Sequence, residues 1–208
     1  MLAEARRELA VGSIGWMESD LDEPEIALQW EHGRFELING VIARMPPAFF
    51  AGQSTLDRLA DLIKVHTRAD GSRWSYAAEI DIVIDETRVL VADGVFLTPA
   101  QKGSQLRAAR LAKPNLDPSG VRILIPPILV IESVSPGHER HDRILKRAWY
   151  AEFGVQHYWI LDYFSRSLEC LNLVDKIYQR DALGTENDVL VLPSLPGLSI
   201  PLAEIWPE

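Results

Sequence analysis

The sequence predicts an α/β sandwich built around a mixed sheet. Three observations carry that class: a short unbroken apolar run, ILVIE at 128–132, of the kind that forms a buried central strand; amphipathic helical segments on either side of it; and strand-like runs before and after. At 208 residues the chain can bury a sizeable core as one domain.

Residues 1–24 are mixed and acidic, ending in SDLDEP, and read as an N-terminal arm or short helix ahead of a single domain at 25–208. RFELINGVIARMP follows, two apolar-rich runs joined by Asn39-Gly40, a strong hairpin signal. STLDRLADLIKVHTR then places Leu56, Leu59, Ala60 and Ile63 at helical spacing, with Ser54 as the expected N-cap. WSYAAEIDIVIDE and RVLVADGVFL read as strands, Ile80, Ile82 and Ile84 alternating with Asp81, Val83 and Asp85. Residues 99–120 look like a basic loop carrying Lys102, Arg107, Arg110 and Lys113, and such a segment is expected to touch a phosphate backbone. After 128–132, Ser135-Pro136-Gly137 break the strand. A helix is expected from near His141 to Phe153, with Ile144, Leu145, Ala148, Trp149 and Phe153 facing the core and Gly154 as C-terminal cap. HYWILDY and SLECLNLV are the next strands, followed by an exposed turn region and a final VLVLPSLPGLSI.

Composition narrows the function classes. Charged residues make up 25% and hydrophobic ones 47%, ordinary for a soluble globular protein. No apolar run approaches the roughly 20 residues of a bilayer span, and MLAEARRELA lacks the apolar segment of a secretory signal, so a cytoplasmic protein without a membrane partner is expected. The single cysteine, Cys170, excludes an intramolecular disulfide and a cysteine-based zinc cluster. A net charge of −9 argues against indiscriminate coating of nucleic acid but leaves room for a local basic patch. The aromatic pair Tyr158-Trp159 and the terminal Ile205-Trp206 suggest spare apolar surface, hence an expected homodimer.

Chemistry centres on carboxylates in apolar strands. Asp93 interrupts VLVADGVFL and Glu132 ends ILVIE, and ionised groups in such places need a partner or a metal. If the two strands are neighbours, the acids converge into the hard oxygen set that Mg²⁺ prefers. Read singly, each acid serves equally well as a loop cap or an arginine partner. Lys146 lies on the following helix, opposite its strongest apolar residues, with Asp142 and Tyr150 four residues to either side; the depths of strand and helix are expected to bring its ammonium within about 6 Å of the Glu132 or Asp93 carboxylate.

The run E-S-V-S-P followed by D-R-I-L-K-R-A-W-Y-A-E-F-G-V-Q-H-Y-W-I-L-D resembles the core of the Uma-two family of restriction-endonuclease-like proteins, within the PD-(D/E)xK nuclease superfamily. F-E-L-I-N-G-V-I-A-R-M-P, A-D-G-V-F and L-P-G-L-S-I-P-L resemble its hairpin, acidic strand and C-terminal end. The resemblance implies an α/β, restriction-endonuclease-like mixed central sheet flanked by helices, and Mg²⁺-dependent (or Mn²⁺-dependent) hydrolysis of DNA. It makes Asp93 and Glu132 metal ligands, Lys146 the catalytic lysine and Glu36 a further acid near the metal. A catalytically silent binding module and a hydrolase of another phosphoester are the rival readings. Three positions depart from the pattern: Ala92 replaces the usual proline, Glu132-Ser133-Val134 lacks the usual E-x-K lysine, and Gly52-Gln53 stand where a histidine is common.

Overall fold

The computed structural model describes residues 8–45, 49–115, 117, 120–134 and 141–207. Asn39-Gly40 close the expected hairpin: β1 (Phe35–Ile38) pairs antiparallel with β2 (Val41–Arg44), and both turn residues have positive φ, 51° and 76°. The amphipathic helix α2 spans Phe50–Ala69, one turn longer than expected. Its N-cap is Phe49, not Ser54, and Ser54 lies inside the helix. Upstream, α1 (Pro24–Gly33) was not anticipated, although Pro24 at the first turn and buried Ile26 and Trp30 four residues apart are legible signals. Residues 8–22, expected as an arm or short helix, include a 3₁₀ helix at Glu18–Asp22. They bury Leu9, Trp16 and Leu21 against Ile26, Trp30, Phe35 and Leu37.

β3 (Ser75–Asp85) and β4 (Arg88–Leu97) form a long antiparallel pair. The segment after them is not a loop. α3 spans Pro99–Ala112, started by a reciprocal cap in which Thr98 and Gln101 bond each other's backbone N–H. Its sparse apolar pattern, with only Gln105 and Ala109 buried, hid it. β5 (Leu129–Ser133) is the expected central strand, buried at its first four positions. A π-helical turn, His141–Lys146, leads into α4 (Arg147–Phe153), which Gly154 ends in the left-handed conformation, φ 98°. β6 (His157–Asp162) and β7 (Ser167–Val174) match their sequence signals. The expected turn region after β7 is in fact β8, Ile177–Thr185, an edge strand whose mostly exposed side chains remove the alternation that marks a strand. β9 (Val189–Val191) and β10 (Ser199–Pro201) form a separate small ribbon.

The large sheet has eight strands in the path β2-β1-β4-β5-β6-β7-β8, with β3 on β4. It is mixed, because β5 and β6 run parallel and the other pairs antiparallel. One face packs α2 and the C-terminal segment, joining Leu56, Leu59 and Ile63 to Ile131, Trp159 and Leu198. The other packs α4, with Tyr150 and Ala151 against Val130, Tyr158 and Ile160. Tyr158, Trp159, Ile205 and Trp206 are all core residues. They therefore supply none of the outward apolar surface on which a homodimer was expected. No helix among the described residues is long and apolar enough to cross a membrane.

The sheet forks at β4. One edge of that strand is taken by β3 along its length. The other is shared: Val89 pairs with Leu37 of β1, while Gly94, Val95 and Phe96 pair with β5. Between them, around Val91, neither strand continues the ladder.

Candidate active site

The candidate residues gather in and beside that fork. Glu36 comes from β1, Asp93 from β4, Glu132 from β5 and Lys146 from the last position of the π turn. The rung beyond Gly94↔Ile131 sets Asp93 next to Glu132 on adjacent strands. Asp93 Oδ2 accepts the Ser133 backbone N–H at 2.7 Å, so the acidic strand is tied to the end of the central one. Leu90 and Ala92 pack in the same layer as Val95 and Leu97, so the inward–outward alternation slips by one residue at Asp93-Gly94. Opposite the slip, Glu79 has φ 46°. Such irregularities re-aim side chains next to functional sites.

Lys146 is only 3% exposed, against 57% and 42% for its neighbours Ile144 and Leu145. The lysine reaches Glu132 as expected, but Ile144 and Leu145, expected at the core, are the exposed residues. A π turn takes up more residues than an α turn, and it brings the lysine, not the two aliphatic residues, onto the sheet. Lys146 Nζ donates to Glu36 Oε1 at 2.9 Å, to Glu132 Oε1 at 3.1 Å and to the Val91 carbonyl at 3.1 Å. The Val91 N–H in turn donates to Glu36 Oε1 at 3.0 Å. The fork is thus closed by side chains: both backbone groups that a strand would have paired are satisfied by the ion cluster.

Tyr150, one helical turn beyond the lysine, adds a contact that sequence reasoning missed. Its hydroxyl donates to Glu132 Oε1 at 2.8 Å, the same oxygen that Lys146 holds. Full burial, then the Glu132 charge, push the phenol well above its ordinary range, so it stays a donor. The available signal was the i, i+4 spacing of Lys146 and Tyr150, read as an outward polar stripe. Glu36, expected as an acid near a metal, is buried and bonded to the lysine and the Val91 N–H.

Among the described residues, no group of three or more His, Cys, Asp or Glu side chains is placed to hold a metal ion by itself. Asp93 and Glu132 supply two carboxylates, a hard donor set that fits Mg²⁺ when water and substrate oxygens complete the coordination. The turn expected at Ser135-Pro136, and the side chains of His138, His141 and Asp142, lie outside the described residues. α3 starts at the Phe96–Leu129 end of the sheet, away from Ser133, and its following residue Lys113 is held by Glu18 and Asp22.

A family model described as "Uma2: Putative restriction endonuclease" matches residues 24–203, most of the chain. The chain belongs to the Uma2 family. The fold is also that of a crystal structure from Anabaena variabilis described as "a putative nuclease belonging to DUF820". The TM-score is 0.60 at 15% identity, over 82% of this chain and 88% of that one. No curated protein matches. In this Uma2 member, Val134, just after β5, stands where an E-x-K triplet would place its lysine, and a helical lysine occupies the space beside Glu132. Gly52, at the position where a histidine is common, packs against β5: a Cβ there would lie 3.2 Å from Ser133 Oγ.

Proposed function

We propose that this Uma2 protein hydrolyses phosphodiester bonds of DNA with Mg²⁺ or Mn²⁺ held by Asp93 and Glu132. The observation that supports the reading best is the placement of those two acids on adjacent strands beside a buried lysine. A bound divalent ion would supply Lewis acidity and a more acidic water. The protein's part is to fix the carboxylates: the Ser133 N–H orients Asp93, and Tyr150 with Lys146 orients Glu132. Lys146 is the group that would offset charge gathering on the phosphate. Glu36 acts on that lysine, holding it in the fork.

Metal binding and turnover separate these roles. Calorimetric titration with Mn²⁺ should show binding to wild type and to Lys146→Ala, and none to Asp93→Ala. Plasmid cleavage should be lost in both variants. Equal Mn²⁺ binding by wild type and Asp93→Ala would remove the metal assignment.

The silent binding module has one observation in its favour. An ammonium has three protons, and all three of the Lys146 contacts above are internal. On that reading the cluster only closes the sheet, and purified wild type cleaves no plasmid, single strand or duplex with either metal.

A further inference from the structure

Near Ser133, aromatic residues from two distant segments come together, three of them in ring contact and Phe50 next to them in the chain. Phe49 and Phe50 start α2, 48% and 89% exposed, and Phe164, 57% exposed, follows β6. Phe49 and Phe164 meet edge to face with centroids 5.8 Å apart, and Tyr163 and Phe164 likewise at 5.5 Å. Large rings left in water are costly, and both segments that carry this group run close to Ser133, the residue after Glu132. Phe50 lies two residues from Gly52, which packs on Ser133, the residue whose N–H holds Asp93. Leu161, three residues before Phe164, pairs with Ser133.

We infer that these rings form a stacking platform for unpaired nucleobases, so that the preferred substrate is single-stranded or locally melted nucleic acid. The inference rests on the hydrolytic reading for its choice of occupant, because both ring-bearing segments adjoin Ser133, whose N–H holds Asp93. Charge points the same way. A chain of net charge −9 has little to offer the dense phosphate pair of a duplex, whereas stacking adds affinity without counter-charge. Phe50, nearly fully exposed, is the ring free to take a base; Phe49, Tyr163 and Phe164 brace one another beside it.

The test is fluorescence anisotropy in EDTA, so that neither metal nor turnover contributes. The probes are a labelled 20-nucleotide oligo(dT), its fully abasic counterpart and a 20-base-pair duplex. Wild type should bind oligo(dT) more tightly than duplex. Phe50→Ala should weaken oligo(dT) binding about tenfold, leave the abasic strand unchanged, and Phe50→Trp should restore it. Thermal melting of the variants checks folding, which a residue so exposed should not disturb. A duplex preference, an unchanged affinity in Phe50→Ala, or an equal loss on the abasic strand overturns the platform. So does a wild-type dimer that Phe50→Ala converts to monomer, since the rings would then be covered by a second copy. If wild type cleaves with Mg²⁺ but shows no Phe50 dependence, the platform alone fails. If it binds through Phe50 but never cleaves, the hydrolytic reading alone fails.

Discussion

Three buried side chains show how much depends on single atoms. Lys146→Ala removes the cation held between Glu36 and Glu132, which are themselves buried. Removing one partner of such a group costs about 3–5 kcal/mol, far more than an exposed pair. Urea unfolding without divalent ions should show a loss of that size. Tyr150→Phe deletes one hydrogen bond to a carboxylate and keeps the ring, so about 1.5–3 kcal/mol is expected. His157 behaves differently. It is buried, Nδ1 has no hydrogen-bond partner, and burial lowers its pKa to about 4, with Asp181 pulling weakly the other way. The folded state therefore resists a proton that the unfolded chain accepts near the ordinary value of 6.5. Stability is full above that value and falls as pH drops toward 4, by up to about 3 kcal/mol. Melting curves from pH 7.5 to 4.5 should show the decline, and His157→Leu should flatten it. An identical slope in the variant would place the acid sensitivity elsewhere.

Among elements, the strands and α2 were legible because their apolar residues repeat with the right period. What escaped had no such repeat. α3 buries two side chains and β8 is an exposed edge, so in both a cap or a partner strand decides the structure. The helix after β5 was recognised, and the reach of Lys146 to Glu132 followed from the matching depths of helix and strand. An α period assigns Ile144 and Leu145 to the core, whereas in the π turn they face out and Lys146, held by contacts from β1, β4 and β5, faces in. Asp93 and Glu132 stood out as charges in apolar runs; Tyr150 and the pairing of Val91 depended on tertiary geometry. The α1–β1 junction offers a test of packing independent of the site. A methyl on Gly33 would lie 1.9 Å from the Phe35 ring, and that ring is buried beside Trp30. Overpacking of this kind costs about 1–3 kcal/mol. Gly33→Ala should lower the melting temperature, and Phe35→Leu should cost less in that background than in wild type.

At the scale of the molecule, acidity governs how a nucleic acid can be held. With 30 acidic against 21 basic side chains, and with Lys113 and Arg122 tied to Glu18 and Asp22, the net charge works against phosphates. Oligo(dT) affinity should therefore fall only gently with salt, a log–log slope of about −1 to −2, because each neutralised phosphate of a single strand contributes about −0.7. A slope near −5 would require a basic track that the ion pairs do not suggest. The fork in the sheet also bears on descent. On the edge away from β3, Val91 has no strand beside it, and there it depends on Glu36 and Lys146 for its backbone pairing. A lineage that lost hydrolysis would still be under selection to keep those two residues, since losing either would cost stability whether or not the protein still cleaved DNA. Retention of the lysine and its acids across relatives is thus a record of foldability. Asp93 bonds the Ser133 N–H and not the backbone of Val91, and its drift is the change that would mark the loss of chemistry.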